Sequence, residues 1–270
     1  MKKVNSISIL VLITYLGMVI VNGLANDLPI NGMITGDISD SYPNLFAPTG
    51  ITFTIWGVIY LLLAAHTAYQ LGLFQKNDQP VKRDLLDQVG ILFAISSVAN
   101  IAWIFSWHYK NILLSMLFML IILICLMLIY VRINKEKLTS NEKFFIRLPF
   151  SVYFGWITVA TIANVTTLLV DKLGSPVNLL GISEVVWTVA ILLIGLLIGA
   201  VTTFKNRDLP YGLVIVWAYI GILIKHLMAK PLPDGFNSQY PAIIITLIVS
   251  LVVLVITLLY TQVKARAERI

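Results

Sequence analysis

Leu148-Pro149-Phe150-Ser151-Val152-Tyr153-Phe154-Gly155-Trp156-Ile157-Thr158-Val159-Ala160-Thr161-Ile162-Ala163-Asn164 is an apolar segment of membrane length that nevertheless carries a tryptophan, two threonines and an asparagine. In hydrocarbon an unpaired amide costs roughly 2–7 kcal/mol, depending on the reference state. Asn164 is therefore expected to face protein, water or a ligand rather than lipid.

The whole chain shares this character. Its 270 residues are 59% hydrophobic and 12% charged, with a mean hydropathy of +0.90. A soluble domain carries about 25% charge, so the sequence is that of an integral membrane protein in contact with the lipid bilayer. The single cysteine, Cys125, lies in an apolar run and excludes an intrachain disulfide. There is no Ser/Gly-rich linker, low-complexity tract or separate soluble domain.

A bilayer core of about 30 Å needs roughly 20 apolar residues per helix. By that measure the expected fold is all-α, with eight transmembrane helices near 6–25, 51–74, 89–108, 111–131, 148–170, 183–204, 211–229 and 241–262. His108-Tyr109-Lys110-Asn111 reads as a tight turn between the third and fourth. With the N-terminus inside, the inner segments hold Lys2, Lys3, Lys76, Lys82, Arg83, Arg132, Lys135, Lys137, Lys143, Arg147, Lys205, Arg207, Lys264, Arg266 and Arg269. The outer loops hold Lys110, Lys172 and Lys230, and Lys225 lies within the seventh span. Since Lys and Arg mark cytoplasmic loops, both termini are expected in the cytoplasm and the location is the cell membrane. The formal charge of +6 has the same source, and no nucleic-acid partner is expected. Lys2-Lys3 before an apolar run is also the pattern of a signal peptide. The run is long for one, no convincing small-x-small cleavage site precedes Asp27, and a retained first helix is the preferred reading.

Residues 26–50 form a long outer loop without Lys or Arg but with Asp27, Asp37, Asp40 and three prolines. Loops of this length are binding loops, lids or disordered. Its Leu28, Ile30, Met33, Ile34, Ile38, Leu45 and Phe46 argue for docking onto the bundle, as a lid or as a structural cap.

Aromatic and polar residues repeat at helical spacing. Trp56 and Tyr60 in the second span share a face, as do Asn100, Trp103 and Trp107 in the third and Trp156, Ala160, Ala163 and Asn164 in the fifth. Trp107 and Trp187, near helix ends, fit interfacial anchors. Gly155, Ala160 and the pair Gly195-x-x-x-Gly199 fit helix packing, the pair within the chain rather than between chains. Asn100 and Asn164 could equally be interhelical hydrogen bonds serving only the fold. Trp56, Trp103 and Trp156 lie more than one turn inside their spans, where belt anchoring accounts for them less well.

Taken together, Pro48 followed by Trp56-x-x-x-Tyr60, then Asn100-x-x-Trp103, then Trp156-x-Thr-x-Ala-Thr-x-x-Asn164 preceded by Leu-Pro, resemble the TspO/MBR family, the tryptophan-rich sensory proteins related to the translocator protein (peripheral benzodiazepine receptor). The resemblance covers residues 6–170, and so implies a five-helix bundle over 1–172 with a three-helix extension over 173–270. Pro149 lies seven residues before Trp156 rather than about four, and the second span has Phe-Thr-Ile-Trp in place of a second aromatic-proline pair. What the resemblance implies is a receptor or sensor for porphyrins or other flat hydrophobic small molecules. By motif match, Trp56 and Trp156 would face a tetrapyrrole, Tyr60, Asn100, Trp103, Ala160 and Asn164 would line its pocket, and loop 26–50 would close it. No cofactor is required. Light-dependent porphyrin breakdown, reported for some members, is an enzymatic activity that the resemblance leaves open and the sequence itself cannot show. Homodimerisation does not transfer securely, because the extension could cover the dimer surface.

Other chemistry finds little footing. His66, His108 and His226 are scattered without metal-ligand spacing, and no phosphate loop, nucleophile elbow or intramembrane carboxylate pair occurs. Glu184 and Lys225 lie at matching depth, as an ion pair or with Lys225 snorkelling to the interface. Two alternatives stay open. A secondary transporter finds a faint echo in Pro48-x-Gly50 … Trp56 and Pro210-x-Gly212 … Trp217, in opposite orientations; the spacings differ by one residue, as in a chance match. A ligand-free scaffold would leave the buried asparagines structural.

Overall fold

The computed structural model describes residues 5–75, 82–174, 178–229 and 235–267; Lys2, Lys3, Lys76, Lys230 and Arg269 lie outside them. The long helices are α1 (Ser6–Asp27), α3 (Ile55–Gln70), α4 (Arg83–His108), α5 (Ile112–Asn134), α7 (Leu148–Leu173), α8 (Glu184–Asn206), α9 (Leu209–Leu227) and α10 (Pro241–Ala267), with short α2 (Thr35–Asp40) and α6 (Ser140–Glu142) between them. Among the described residues eight helical segments are long and apolar enough to cross a membrane, and the only strand-like pairing is an isolated bridge between Leu179 and Ile182. The protein is an all-α, multi-pass membrane protein.

Local chemistry sets the boundaries. Asn5 caps α1 by accepting from Ser8 N, and Asn111 caps α5 by accepting from Leu114 N. Between α4 and α5, Lys110 takes φ +55° and the chain reverses within Tyr109–Asn111. Arg207 takes φ +52° at the end of α8, and Asp208 then caps α9 by accepting from Tyr211 N at 3.2 Å.

The fifth span starts earlier than its hydropathy suggests. Thr139 and Glu142 form a reciprocal capping box, α6 runs into a π-helical turn (Lys143–Arg147), and the turn leads into α7. Pro149 has no N–H to give the carbonyl of Phe145, four residues back. That carbonyl accepts instead from His66 Nδ1 at 2.9 Å. The ring nitrogen must carry the proton, since its partner is a carbonyl.

The chain gathers into two compact units: Met1–Thr35 with Ile55–Ile157, and Gly36–Thr54 with Thr158–Ile270. In the first, α4 packs along α5 and α1, and α1 touches α3. In the second, α10 packs against α8 and α9. There Tyr219 donates to Leu192 O at 2.6 Å beside Gly195, and Ile215 lies against Gly199. The Gly195-x-x-x-Gly199 stripe thus serves packing of α8 on α9 inside the chain.

The outer segment divides between the units. In the first, His108 Nδ1 donates to Ile30 O at 3.1 Å, its Nε2 lies 3.0 Å from Thr35 Oγ1, and Trp107 Nε1 donates to Thr35 O. Trp107 is buried, so it is a clasp for this segment rather than an interfacial anchor. In the second, Leu45 N donates to Glu184, Leu45 O accepts from His226 Nε2 at 2.9 Å, Thr49 N donates to Gly221 O, and Trp217 Nε1 donates to Thr52 O. Of the seven apolar residues expected to dock, Ile38, Leu45 and Phe46 are buried and Ile30 and Met33 half-buried, whereas Leu28 and Ile34 are exposed. Burial first, then the neighbouring Asp171 carboxylate, raise the Tyr42 phenol above its ordinary value. Lys225 is buried, with its Nζ 3.4 Å from Asp40 and 5.9 Å above the Phe236 ring. Snorkelling does not describe it.

Candidate functional site

Helical periodicity concentrates aromatic rings in the first unit. One turn of α3 stacks Trp56 on Tyr60, with centroids 5.5 Å apart and planes at 20°. From α4, Trp103 lies 6.4 Å from Trp56 and stacks in turn on Trp107 at 5.8 Å. From α7, Tyr153 and Trp156 meet Trp56 edge-on at 6.0 and 6.1 Å. All four distances around Trp56 fall in the range of attractive aromatic pairs, about 4.5–7 Å. Trp103, Tyr153 and Trp156 are buried, whereas Trp56 and Tyr60 are half-buried.

A polar chain crosses three helices beneath this cluster. Asn22 Nδ2 donates to Asn100 Oδ1 at 2.6 Å, and Asn100 Nδ2 donates to the Tyr153 hydroxyl at 3.4 Å. Asn100 is fully buried. Its amide therefore ties α1, α4 and α7 together and orients the tyrosine that edges Trp56. On the other flank Tyr15 donates its hydroxyl to Tyr60 O at 2.9 Å.

Two polar atoms in the cluster stand apart. The Tyr60 hydroxyl and Trp103 Nε1 are buried and, among the described residues, have no hydrogen-bond partner. Buried tyrosine and tryptophan normally find one, and leaving a donor unpaired costs about 1–3 kcal/mol. Other buried atoms share this state, Gln70 Oε1 and Ser250 Oγ among them, so what distinguishes these two is their place in the ring cluster.

Of the residues singled out in the sequence, Trp56, Tyr60, Asn100, Trp103 and Trp156 are thus brought together. Ala160, half-buried, and Asn164, buried, belong to the second unit, further along α7. Two residues went unnoticed, Tyr153 and Asn22. Tyr153 had a readable signal, since it lies three residues before Trp156 and shares its face. Asn22 had a weaker one, an amide within an apolar first span. Among the described residues no group of three or more His, Cys, Asp or Glu could hold a metal. Each histidine instead lies within hydrogen-bond reach of a backbone carbonyl, of Phe145, Ile30 and Leu45 respectively.

Comparison with known proteins adds one finding. A family model described as TSPO-like protein matches residues 8–260, so the match runs through α8 and α9 and most of α10 as well as the earlier helices. No curated protein and no solved structure matches the chain.

Proposed function

Because the chain belongs to the TSPO-like protein family, we propose that it is a membrane receptor or sensor whose first unit binds a flat hydrophobic molecule, of porphyrin type, against Trp56 and Tyr60. The observation that carries this reading is the pair of unpaired buried atoms, Tyr60 hydroxyl and Trp103 Nε1, within the ring cluster. A large apolar ring system gains from stacking on the half-buried faces, while two fixed donors select its polar edge. Trp156 and Tyr153 would back Trp56, and Asn100 would hold Tyr153 in place. The distribution of Lys and Arg supports cytoplasmic termini, and a homodimer remains compatible with the sequence.

The test is a titration of purified protein with protoporphyrin IX, followed by tryptophan fluorescence. Saturable quenching is expected, with affinity reduced about tenfold in Trp56→Leu, the equivalent of about 1.4 kcal/mol. Quenching that does not saturate, or an affinity unchanged in Trp56→Leu, removes the reading. A secondary transporter would instead move solute into proteoliposomes under an ion gradient, and its buried Lys225 would be required.

A further inference from the structure

The far ends of α8 and α10, in the second unit, carry a feature that the ring cluster does not use. Ala200, Val201 and Phe204 of α8 and Ile256, Thr257 and Tyr260 of α10 line an open groove of about 350 Å³. One water occupies about 30 Å³ of liquid, so the groove has room for a stretch of hydrocarbon chain. Its walls suit one. Val201, Phe204, Ile256 and Tyr260 are all exposed, and the Thr257 hydroxyl is already spent on Val253 O at 2.8 Å.

The groove ends under a positive charge. Phe204 and Tyr260 lie 5.7 Å apart, and Lys264 Nζ sits 5.3 Å above the Phe204 ring. Lys264 has no hydrogen bond or ion pair with any described residue, and neither has Lys205, which follows Phe204 at the end of α8. Arg207 and Arg266 add charge to the same helix ends. Asp208, which follows α8, is buried and engaged as the cap of α9, and Glu268, four residues beyond Lys264, lies outside the described residues. An ammonium held over an aromatic ring at the mouth of a lipid-facing apolar groove matches one chemistry: a phosphate or other anion attached to an acyl chain.

We propose that the α8–α10 groove is a binding site for an anionic phospholipid, with one acyl chain along Ala200, Val201, Ile256 and Thr257 and its headgroup on Lys264 and Lys205. Charge complementarity chooses the occupant, since a zwitterionic lipid fits the groove equally but leaves the cations without a net partner. The site is independent of the ring cluster on α3, α4 and α7.

Delipidated protein in detergent, titrated with phosphatidylglycerol or with phosphatidylcholine of the same chains and read by native mass spectrometry, tests this. Phosphatidylglycerol should occupy the protein at about tenfold lower concentration than phosphatidylcholine. Lys205→Gln with Lys264→Gln should abolish that preference, whereas Lys264→Arg should keep it. Val201→Trp, which fills the groove and leaves the charges, should weaken both lipids. Lys135→Gln with Lys137→Gln, at the end of α5, should change nothing, and inorganic phosphate should not compete. Equal binding of the two lipids by the unsubstituted protein overturns the proposal without recourse to any variant. So does a preference that survives loss of Lys205 and Lys264, or full competition by free phosphate.

Discussion

Gly221→Ala should lower the thermal stability of the detergent-solubilised protein sharply and release the outer segment to proteolysis. A Cβ at this buried position would overlap Thr52 Oγ1 and come within 2.8 Å of Thr52 Cγ2 and 2.9 Å of its Cβ. Thr52 cannot swing aside, because it is β-branched and its own carbonyl accepts from Trp217 Nε1 at 2.9 Å. The turn Gly50–Thr54 must therefore shift as a piece. That shift strains the bond from Thr49 N to Gly221 O. Overpacking of this kind costs about 1–3 kcal/mol, and the backbone tie places the expected loss at the upper end. Adding Thr52→Ala removes two of the three colliding atoms, so the double variant should recover most of the loss. An unchanged melting temperature in Gly221→Ala would show that α9 and this turn are not in close contact.

Asn100→Leu should be the most damaging single polar deletion in the first unit. It leaves Asn22 without its 2.6 Å acceptor and Tyr153 without its amide donor, both buried. Interhelical hydrogen bonds in membranes average about 0.6 kcal/mol and reach about 1.7, while an orphaned buried group costs about 1–3 kcal/mol. With two partners disturbed, a loss of about 2 kcal/mol is expected. Replacing both members of the short bond, Asn22→Leu with Asn100→Leu, should be milder than Asn100→Leu alone, since no amide is then stranded. A double variant worse than the single would mean that Asn22 has a separate role in the fold.

The helices were legible because lipid allows so few solutions. Apolar length gave all eight spans, and the caps Asn5, Asn111 and Asp208 explain the starts of α1, α5 and α9. The fifth span was read short, since its start is set by the Thr139–Glu142 box and a π-turn accommodating Pro149, which hydropathy does not register. The ring cluster was legible for the same reason as the helices: i, i+3 and i+4 spacing puts Trp56 beside Tyr60 and Asn100 beside Trp103 whatever the rest of the chain does. What periodicity could not supply was partner choice between helices. It could not show that Asn100 bonds to Asn22 and to Tyr153, because that depends on which helices are neighbours. Lys225 shows the same limit, since Asp40 beside it ends α2 in the outer segment, whose path no local pattern fixes.

Tyr60→Phe separates a cluster built for a ligand from one built only for packing, because only the first predicts weaker binding without a loss of stability. The phenol oxygen is buried without a partner, so its removal should leave the ligand-free protein as stable as before, or more so. The same change should weaken porphyrin binding about two- to tenfold, the value of a hydrogen bond of about 0.5–1.5 kcal/mol made only to the ligand. Unchanged or greater stability together with weaker binding is the predicted result. Lower stability with undiminished porphyrin affinity would contradict it, and would return Trp56 and its neighbours to the interior of an ordinary helix bundle.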